Sequence, residues 1–298
     1  MLARTRLWHR STAAACLLLL AACAQPRQPA PSLSPPLRVM TFNIRYGTAA
    51  DGANAWPLRR DLVLRLIRDF RPDVLGLQEA LRFQLDELQA GLGAYDELGV
   101  GRDDGREAGE YSAIHYDRQR LEVIEQGNFW LSGSPAVAGS MTWGNRIPRI
   151  VTWARFRERL SGATFYTFNT HWDHESQPAR ERSAELLLGR IAARAAGEDP
   201  VIVTGDFNAG ESNPAFRALT SPAAAAGLRD SFRLLHPDIS VAGTFNGFAG
   251  DSTGEKIDAI LVSSGWDVVE AAIVRLAPGG RYPSDHFPVT AVLRARHE

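Results

Sequence analysis

A chain of 298 residues, 45% hydrophobic and 22% charged, has an ordinary globular composition and the length of one large α/β domain or two small ones. Its formal charge is −1, and setting aside the first 22 residues, which hold Arg4, Arg6 and Arg10 and no acid, leaves 30 basic against 34 acidic residues. That balance argues against a non-specific nucleic-acid binder, whose affinity rests on a cationic surface, and with Cys16 and Cys23 the only cysteines the body of the chain has no thiol for catalysis, disulfides or soft metals.

Residues 1–10 are short and basic, and Thr12–Leu20 (TAAACLLLL) is apolar but too short to span a bilayer, the pattern of a secretory signal. Leu20-Ala-Ala-Cys23 resembles a bacterial lipobox. The resemblance implies cleavage before Cys23 and a diacylglycerol on its thiol, a stable anchor because several acyl chains sit on one residue. The competing expectation is cleavage after the A-x-A-like Ala22-Cys-Ala24, giving a soluble secreted protein. Residues 25–36 (QPRQPAPSLSPP) include five prolines and read as an extended, semi-rigid spacer. The expected organisation is a signal over 1–22, a lipidated Cys23 and linker over 23–36, and one domain over 37–298. Ala24, in place of an acidic residue after Cys23, favours the outer membrane, with the domain facing the periplasm.

From Leu37 onward strands and helices alternate. Leu37–Phe42 is a short apolar strand, and Leu62/Leu66 with Val63/Ile67/Phe70 give Arg59–Phe70 helical spacing. Asp73–Leu77 is a second buried strand, and Leu81, Leu85, Leu88 and Leu92 mark a second helix. Strand-like runs follow at Tyr111–Tyr116, Leu121–Leu131, Ile150–Phe156 and Thr164–Asn169. A long helix fits Ala179–Ala196, with Pro178 near its first turn. Val201–Thr204, Ile257–Val262, Val268–Val274 and Phe287–Arg294 complete the strands. No break in composition divides residues 37–298, so one α/β domain is expected, with two sheets and helices outside.

Polar residues interrupt or end the apolar strands at six places. Asn43 follows Val39–Phe42, Gln78-Glu79 follow Val74–Leu77, and Asn169-Thr-His171 follow Phe165–Phe168. Asp206 and Asn208 follow Val201–Thr204, Asp258 lies inside Ile257–Val262, and Asp285-His286 precede Phe287-Pro-Val289. Each alone is compatible with a turn or a helix cap, although Asp258 inside a strand needs a partner for its charge. Together they mark a ligand site, because strand ends are where such sites gather in α/β sheets.

The motifs TFNIRYG (41–47), LGLQEA (75–80), FNTHWDH (168–174), TGDFN (204–208), KIDAILV (256–262) and YPSDHFPV (282–289) occur in an order that resembles the endonuclease/exonuclease/phosphatase superfamily, whose fold is that of pancreatic deoxyribonuclease. The resemblance spans residues 39–289 and implies a four-layer α/β sandwich of two packed sheets flanked by helices. The inventory suits phosphoester hydrolysis with a hard divalent ion, Mg²⁺ or Mn²⁺. Glu79 is the expected metal ligand with Asn43 beside it, and the resemblance adds Asp285. His171, Asn43 and Asn208 are expected to donate to phosphoryl oxygens. Asp206 is expected to position and deprotonate the attacking water, and His286 to be the second acid/base group, paired with Asp258. Whether Asp206 or His286 takes the water proton stays open.

Tyr111, Arg149, His174 and Lys256, the sole lysine, are expected to read the substrate. That substrate is a phosphoester of a small molecule, a lipid head group or a nucleic acid, and the protein is expected to act as a monomer at the membrane through its lipid. An extracytoplasmic nuclease and a non-catalytic binding module on the same fold are the competing readings. Mass spectrometry of the mature N-terminus is expected to find a diacylglyceryl group on Cys23; an unmodified start at Gln25 rules the anchor out.

Overall fold

The computed structural model describes residues 1–2 and 35–296, so the signal, Cys23 and most of the linker lie outside the described residues. In chain order the elements are β1 (Leu37–Asn43), α1 (Trp56–Phe70), β2 (Val74–Ala80), α2 (Arg82–Gly91), β3 (Tyr95–Leu98), β4 (Tyr111–Asp117), β5 (Leu121–Trp130), β6 (Ile150–Glu158), β7 (Thr164–His171), α3 (Gln177–Ala192), β8 (Val201–Asp206), α4 (Pro214–Leu219), β9 (Arg229–Asp230), α5 (Ser231–Leu235), β10 (Asp258–Val262), β11 (Trp266–Ile273) and β12 (Val289–Ala295). The strands form two six-stranded sheets, ordered β11-β12-β1-β2-β4-β3 and β5-β6-β7-β8-β10-β9. Each sheet holds one parallel pair, β1 with β2 and β7 with β8, joined through α1 and α3, while every other pairing is antiparallel.

Strand alternation builds the layers. Leu37 and Val39 of β1, Ile202 of β8, Ile260 and Val262 of β10 and Leu293 of β12 meet between the sheets. Their neighbours Met40, Phe42, Leu75 and Leu77 pack under α1 and α2, and Val201, Val203, Ala259 and Leu261 pack with residues of α3 and α4. Both faces of the central strands are therefore apolar, which is why they read as continuous hydrophobic runs. The result is helices, sheet, sheet and helices, the four-layer sandwich expected from the motifs.

The inter-sheet layer changes character along its length. Beyond the apolar core lies a neutral polar tier, wholly buried, made of Thr41, Gln78, Asn169 and Thr204. Gln78 Nε2 donates to Asn169 Oδ1 (2.7 Å) and Thr41 Oγ1 (3.0 Å), and Asn169 Nδ2 donates to the carbonyls of Leu77 (2.9 Å) and Ala113 (2.8 Å). A side chain on Gly76 would meet this tier, since a Cβ there would lie 2.3 Å from Thr204 Oγ1 and 2.6 Å from Asn169 Oδ1. The same alternation carries Asn43, His171, Asp206 and Asp258 onto the inter-sheet face, one tier further out.

Several boundaries differ from the sequence pattern. The first helix begins at Trp56, with Pro57 in its first turn, rather than at Arg59. The third ends at Ala192, not Ala196, because the chain turns there toward β8 and Arg194 ties the turn together through the carbonyls of Ile191 and Asp199. The closing strand starts at Val289, after Phe287-Pro288. β3, β9, α4 and α5 have no clear sequence signature because they are six residues or shorter.

His115 of β4 is wholly buried and neither ring nitrogen has a hydrogen-bond partner. Burial pushes its pKa down to about 4. An unfolded chain therefore takes up a proton near pH 6.5 that the folded chain refuses until about pH 4, so this residue costs stability progressively as pH falls through that window. Urea unfolding at pH 7 and pH 5 is expected to show wild type losing roughly 2 kcal/mol more than His115→Phe over this step; equal losses contradict the assignment.

Candidate active site

At the polar end of the sandwich the charged residues arrive from six segments. Asn43 ends β1, His171 ends β7 and Asp206 ends β8, while Asp258 opens β10 directly opposite Asp206 in the antiparallel register. Asp285 and His286 come from the loop before β12. Glu79 arrives differently. Strict alternation would place it with Leu75 and Leu77 beneath the helices, but the ladder to β4 is bulged between Leu77 and Ala80 and Glu79 takes φ 59°. Ala80 then fills the helix-side position, and the Glu79 carboxylate swings into the cleft. Arg45 and Asn208 also have positive φ, 57° and 45°, so three non-glycine residues with unfavourable backbone conformations lie at one site.

Asn43 is the hub of the acidic groups. Its Oδ1 accepts the Arg45 N–H (2.9 Å), which turns Nδ2 toward Glu79 Oε1 (3.0 Å) and Asp206 Oδ2 (2.9 Å). Asn43 in this orientation presents its amide donors to the two carboxylates. Asp206 Oδ1 accepts the Asn208 N–H at 2.9 Å. Burial, with repulsion from Asp258, pushes the Asp206 carboxyl up to about 7.

His286 lies between the two aspartates. Its Nδ1 is 2.9 Å from Asp258 Oδ2 and its Nε2 is 3.8 Å from Asp206 Oδ2. Burial opposes a charge on this ring, but the carboxylates of Asp258 and Asp206 outweigh it and hold the pKa well above the usual histidine range. Phe245 packs edge-on against the ring at 5.2 Å, through a backbone bridge between the two residues. His171 behaves oppositely. Burial, together with the charges of Arg149 and Arg102, keeps it neutral. Asn208 Nδ2 donates to both the Trp172 carbonyl (3.0 Å) and His171 Nε2 (2.9 Å), so Nε2 accepts and the ring proton sits on Nδ1, which has no partner. Both amide hydrogens of Asn208 are thus engaged, and from the cleft lining Asn208 orients His171.

Glu79, His171, Asp206, Asn208, Asp285 and His286 line a cleft of about 690 Å³ together with Arg45, Arg102, Glu110, Arg149, His174, Phe245, Asp251 and Glu255. Arg149 donates from Nη2 to His174 Nδ1 at 2.9 Å, and its buried Nε lies 3.7 Å from Asp173 Oδ2. Two expected substrate readers lie elsewhere. Tyr111 shares a face of β4 with Ala113, packs in the layer beneath α1 and α2, and donates its hydroxyl to the Arg106 carbonyl (2.9 Å). The Lys256 side chain is wholly buried and donates to Asp230 Oδ2 (2.6 Å) and the Asp258 carbonyl (3.0 Å), which fixes Asp258 from behind.

Other contributors have no strand-end signature. Arg45 bridges Asp51 (3.2 Å), Asp285 (3.7 Å) and Glu79 (4.0 Å). Arg59, almost wholly buried, donates to the carbonyls of Ile44 (2.6 Å), Arg45 (2.9 Å), Asn54 (2.9 Å) and Pro283 (3.0 Å), tying the loop after β1 to the segment that carries Asp285 and His286. Its only sequence trace is an arginine on the apolar face of a helix. Ser284 adds a second tie through Oγ to the Asn43 carbonyl (2.7 Å).

Carboxylates of opposed tasks, a charged imidazole and three arginines around one cleft make a site for hydrolysing phosphoric esters. The chain belongs to the Endonuclease/Exonuclease/phosphatase family, whose model matches residues 40–286, and it is a phosphoric ester hydrolase. An endonuclease/exonuclease/phosphatase from Bacteroides vulgatus is 37% identical, with a TM-score of 0.81 over 88% of this chain and 99% of that one. A protein named mannosyl-6-phosphatase from Bacteroides thetaiotaomicron is 34% identical, with a TM-score of 0.79 over 86% of this chain and 99% of that one. Human nocturnin is 25% identical over 297 residues, covering 88% of this chain and 66% of nocturnin, so the chain spans about two thirds of that relative's length.

Proposed function

We propose that the protein is a divalent-metal-dependent phosphatase for small phosphorylated molecules, working by direct attack of water at the cell envelope. The carrying observation is the cleft itself. Its volume of about 690 Å³ is that of a small-molecule pocket. Asp251 and Glu255 on its lining oppose the polyanionic backbone that a nuclease would have to track. The 34% identical mannosyl-6-phosphatase accords with a small substrate.

The residues present fit a hard divalent ion. Glu79, Asp206 and His286 offer ligand atoms within 4.8 Å of one another. An imidazolium has no lone pair to give, so His286 is better counted as a proton donor than as a ligand. Glu79, with Asp285 added by the family resemblance, gives an all-oxygen set suited to Mg²⁺ or Mn²⁺. Burial, with the nearby negative charge of Glu79, pushes the Asp285 carboxyl up, a crowding that a bound cation relieves. When bound, the ion polarises a phosphoryl oxygen and neutralises developing charge.

The chain's own residues supply the rest. Arg149 and His171, both on the cleft lining, are the donors for phosphoryl oxygens. Asp206, clamped by Asn43 and Asn208, orients the attacking water and accepts its proton. The P–O ester bond breaks as the water oxygen bonds phosphorus, and His286 gives the leaving alkoxide its proton. Asp258 holds the His286 ring and offsets its charge, and Lys256 holds Asp258. No serine or cysteine is needed as a nucleophile.

The envelope location rests on the signal and lipobox pattern. Its geometry is favourable, because Arg120 grips the carbonyls of Pro35 and Pro36 where the chain enters β1, and the catalytic groups lie at the other end of that strand. A monomer on this tether would hold its cleft away from the lipid.

Purified protein with Mg²⁺ or Mn²⁺ is expected to release phosphate from p-nitrophenyl phosphate and small phosphomonoesters, to lose that activity in EDTA, and to leave plasmid DNA and RNA intact. Asp206→Asn and His286→Ala are expected to lower kcat by about 100-fold or more. Activity that persists in EDTA, or faster cleavage of DNA than of any phosphomonoester, contradicts the proposal.

A further inference from the structure

Beside the phosphate donors stands a largely buried ion pair with no part in the hydrolytic step. Arg102 binds Glu110 in bidentate fashion, Nη1 to Oε2 at 2.7 Å and Nη2 to Oε1 at 2.9 Å. Both line the cleft, and Glu110 Oε2 lies 4.0 Å from the unpartnered Nδ1 of His171. A buried pair of this kind is a poor source of net stability, since desolvation offsets much of its attraction. A recognition role explains its place in the cleft wall better than stability does.

We propose that Glu110, held by Arg102, is a hydroxyl-reading subsite that selects phosphate monoesters of neutral polyols, such as sugar monophosphates, over esters that carry a second phosphate; this rests on the phosphatase reading above. Each Glu110 oxygen takes one hydrogen from Arg102 and keeps lone pairs for another donor. A sugar hydroxyl has the donor that these lone pairs accept. A second phosphate at that position has no hydrogen to give near neutral pH, and its charge is repelled by the carboxylate. Arg102 alone would welcome an anion, but the bidentate pair with Glu110 offsets its charge. A site built to pair a substrate hydroxyl rejects analogues that leave its buried polar groups unpaired, and that discrimination exceeds what apolar contact supplies.

Initial rates with a hexose 6-phosphate, a hexose 1,6-bisphosphate and p-nitrophenyl phosphate test the subsite. Wild type is expected to favour the hexose 6-phosphate over the bisphosphate by at least about tenfold in kcat/KM. Glu110→Gln is expected to lower kcat/KM for the hexose 6-phosphate at least about tenfold more than for p-nitrophenyl phosphate, chiefly through KM. The double variant R102Q/E110Q, which leaves no buried unpaired charge, should show the same loss of preference if the single variant folds poorly. Equal turnover of mono- and bisphosphate by wild type, or an unchanged preference in both variants, overturns the subsite while leaving the phosphatase reading intact. A wild type that hydrolyses p-nitrophenyl phosphate in neither metal overturns both.

Discussion

Two buried aspartates face each other across neighbouring antiparallel strands, and the arrangement of the site follows from that pairing. Asp206 ends β8, Asp258 opens β10, and the register puts them directly opposite. Like charges in such positions repel, by about 3 kcal/mol at 5 Å and an effective dielectric constant of 20. The protein relieves this with an imidazolium rather than by separating the acids. His286 contacts Asp258 at 2.9 Å and faces Asp206 at 3.8 Å. The two aspartates thereby acquire different tasks: one is bound to a ring it orients, and the other stays a proton acceptor with its pKa raised to about 7.

The rest of the sandwich holds this triad in place. Arg59 and Ser284 tie the His286 segment to the loop after β1, and Lys256 fixes the backbone of Asp258. Breaking the buried Lys256–Asp230 pair would leave an uncompensated charge, a loss of roughly 3–5 kcal/mol. The neutral tier of Thr41, Gln78, Asn169 and Thr204, linked by side-chain hydrogen bonds, stands between the charges and the apolar core. Its close packing explains why β2 carries Gly76 at a position where any Cβ would collide.

Much of this was legible in the sequence because the apolar strands are short and end abruptly. Asn43, His171, Asp206 and Asp258 lie on strands whose alternation points them between the sheets, and the polar residue at the end of each run marks the tier where the core stops. What strand ends do not reveal is direction. Asn43 could be expected as an oxygen ligand, but the amide is turned by the Arg45 N–H, itself placed by a positive φ. Tyr111 starts a strand beside the cleft, yet its parity puts it on the helix side with Ala113. Lys256 is two residues from Asp258 but is drawn inward by Asp230, which is 26 residues away in sequence. Arg102 and Glu110 flank a loop whose ends meet only in three dimensions, so their pairing left no periodic trace.

The account turns on His286 being held as an imidazolium while His171, in the same cleft, is neutral with its proton on Nδ1. Nitrogen-15 histidine spectra recorded from pH 5 to pH 9 on the metal-free protein address this directly. The His286 ring is predicted to remain protonated well above the usual histidine range and to lose that elevation in Asp258→Asn, while His171 stays neutral throughout. A His286 ring that titrates at or below about 6.5, or one indifferent to Asp258→Asn, would contradict the account.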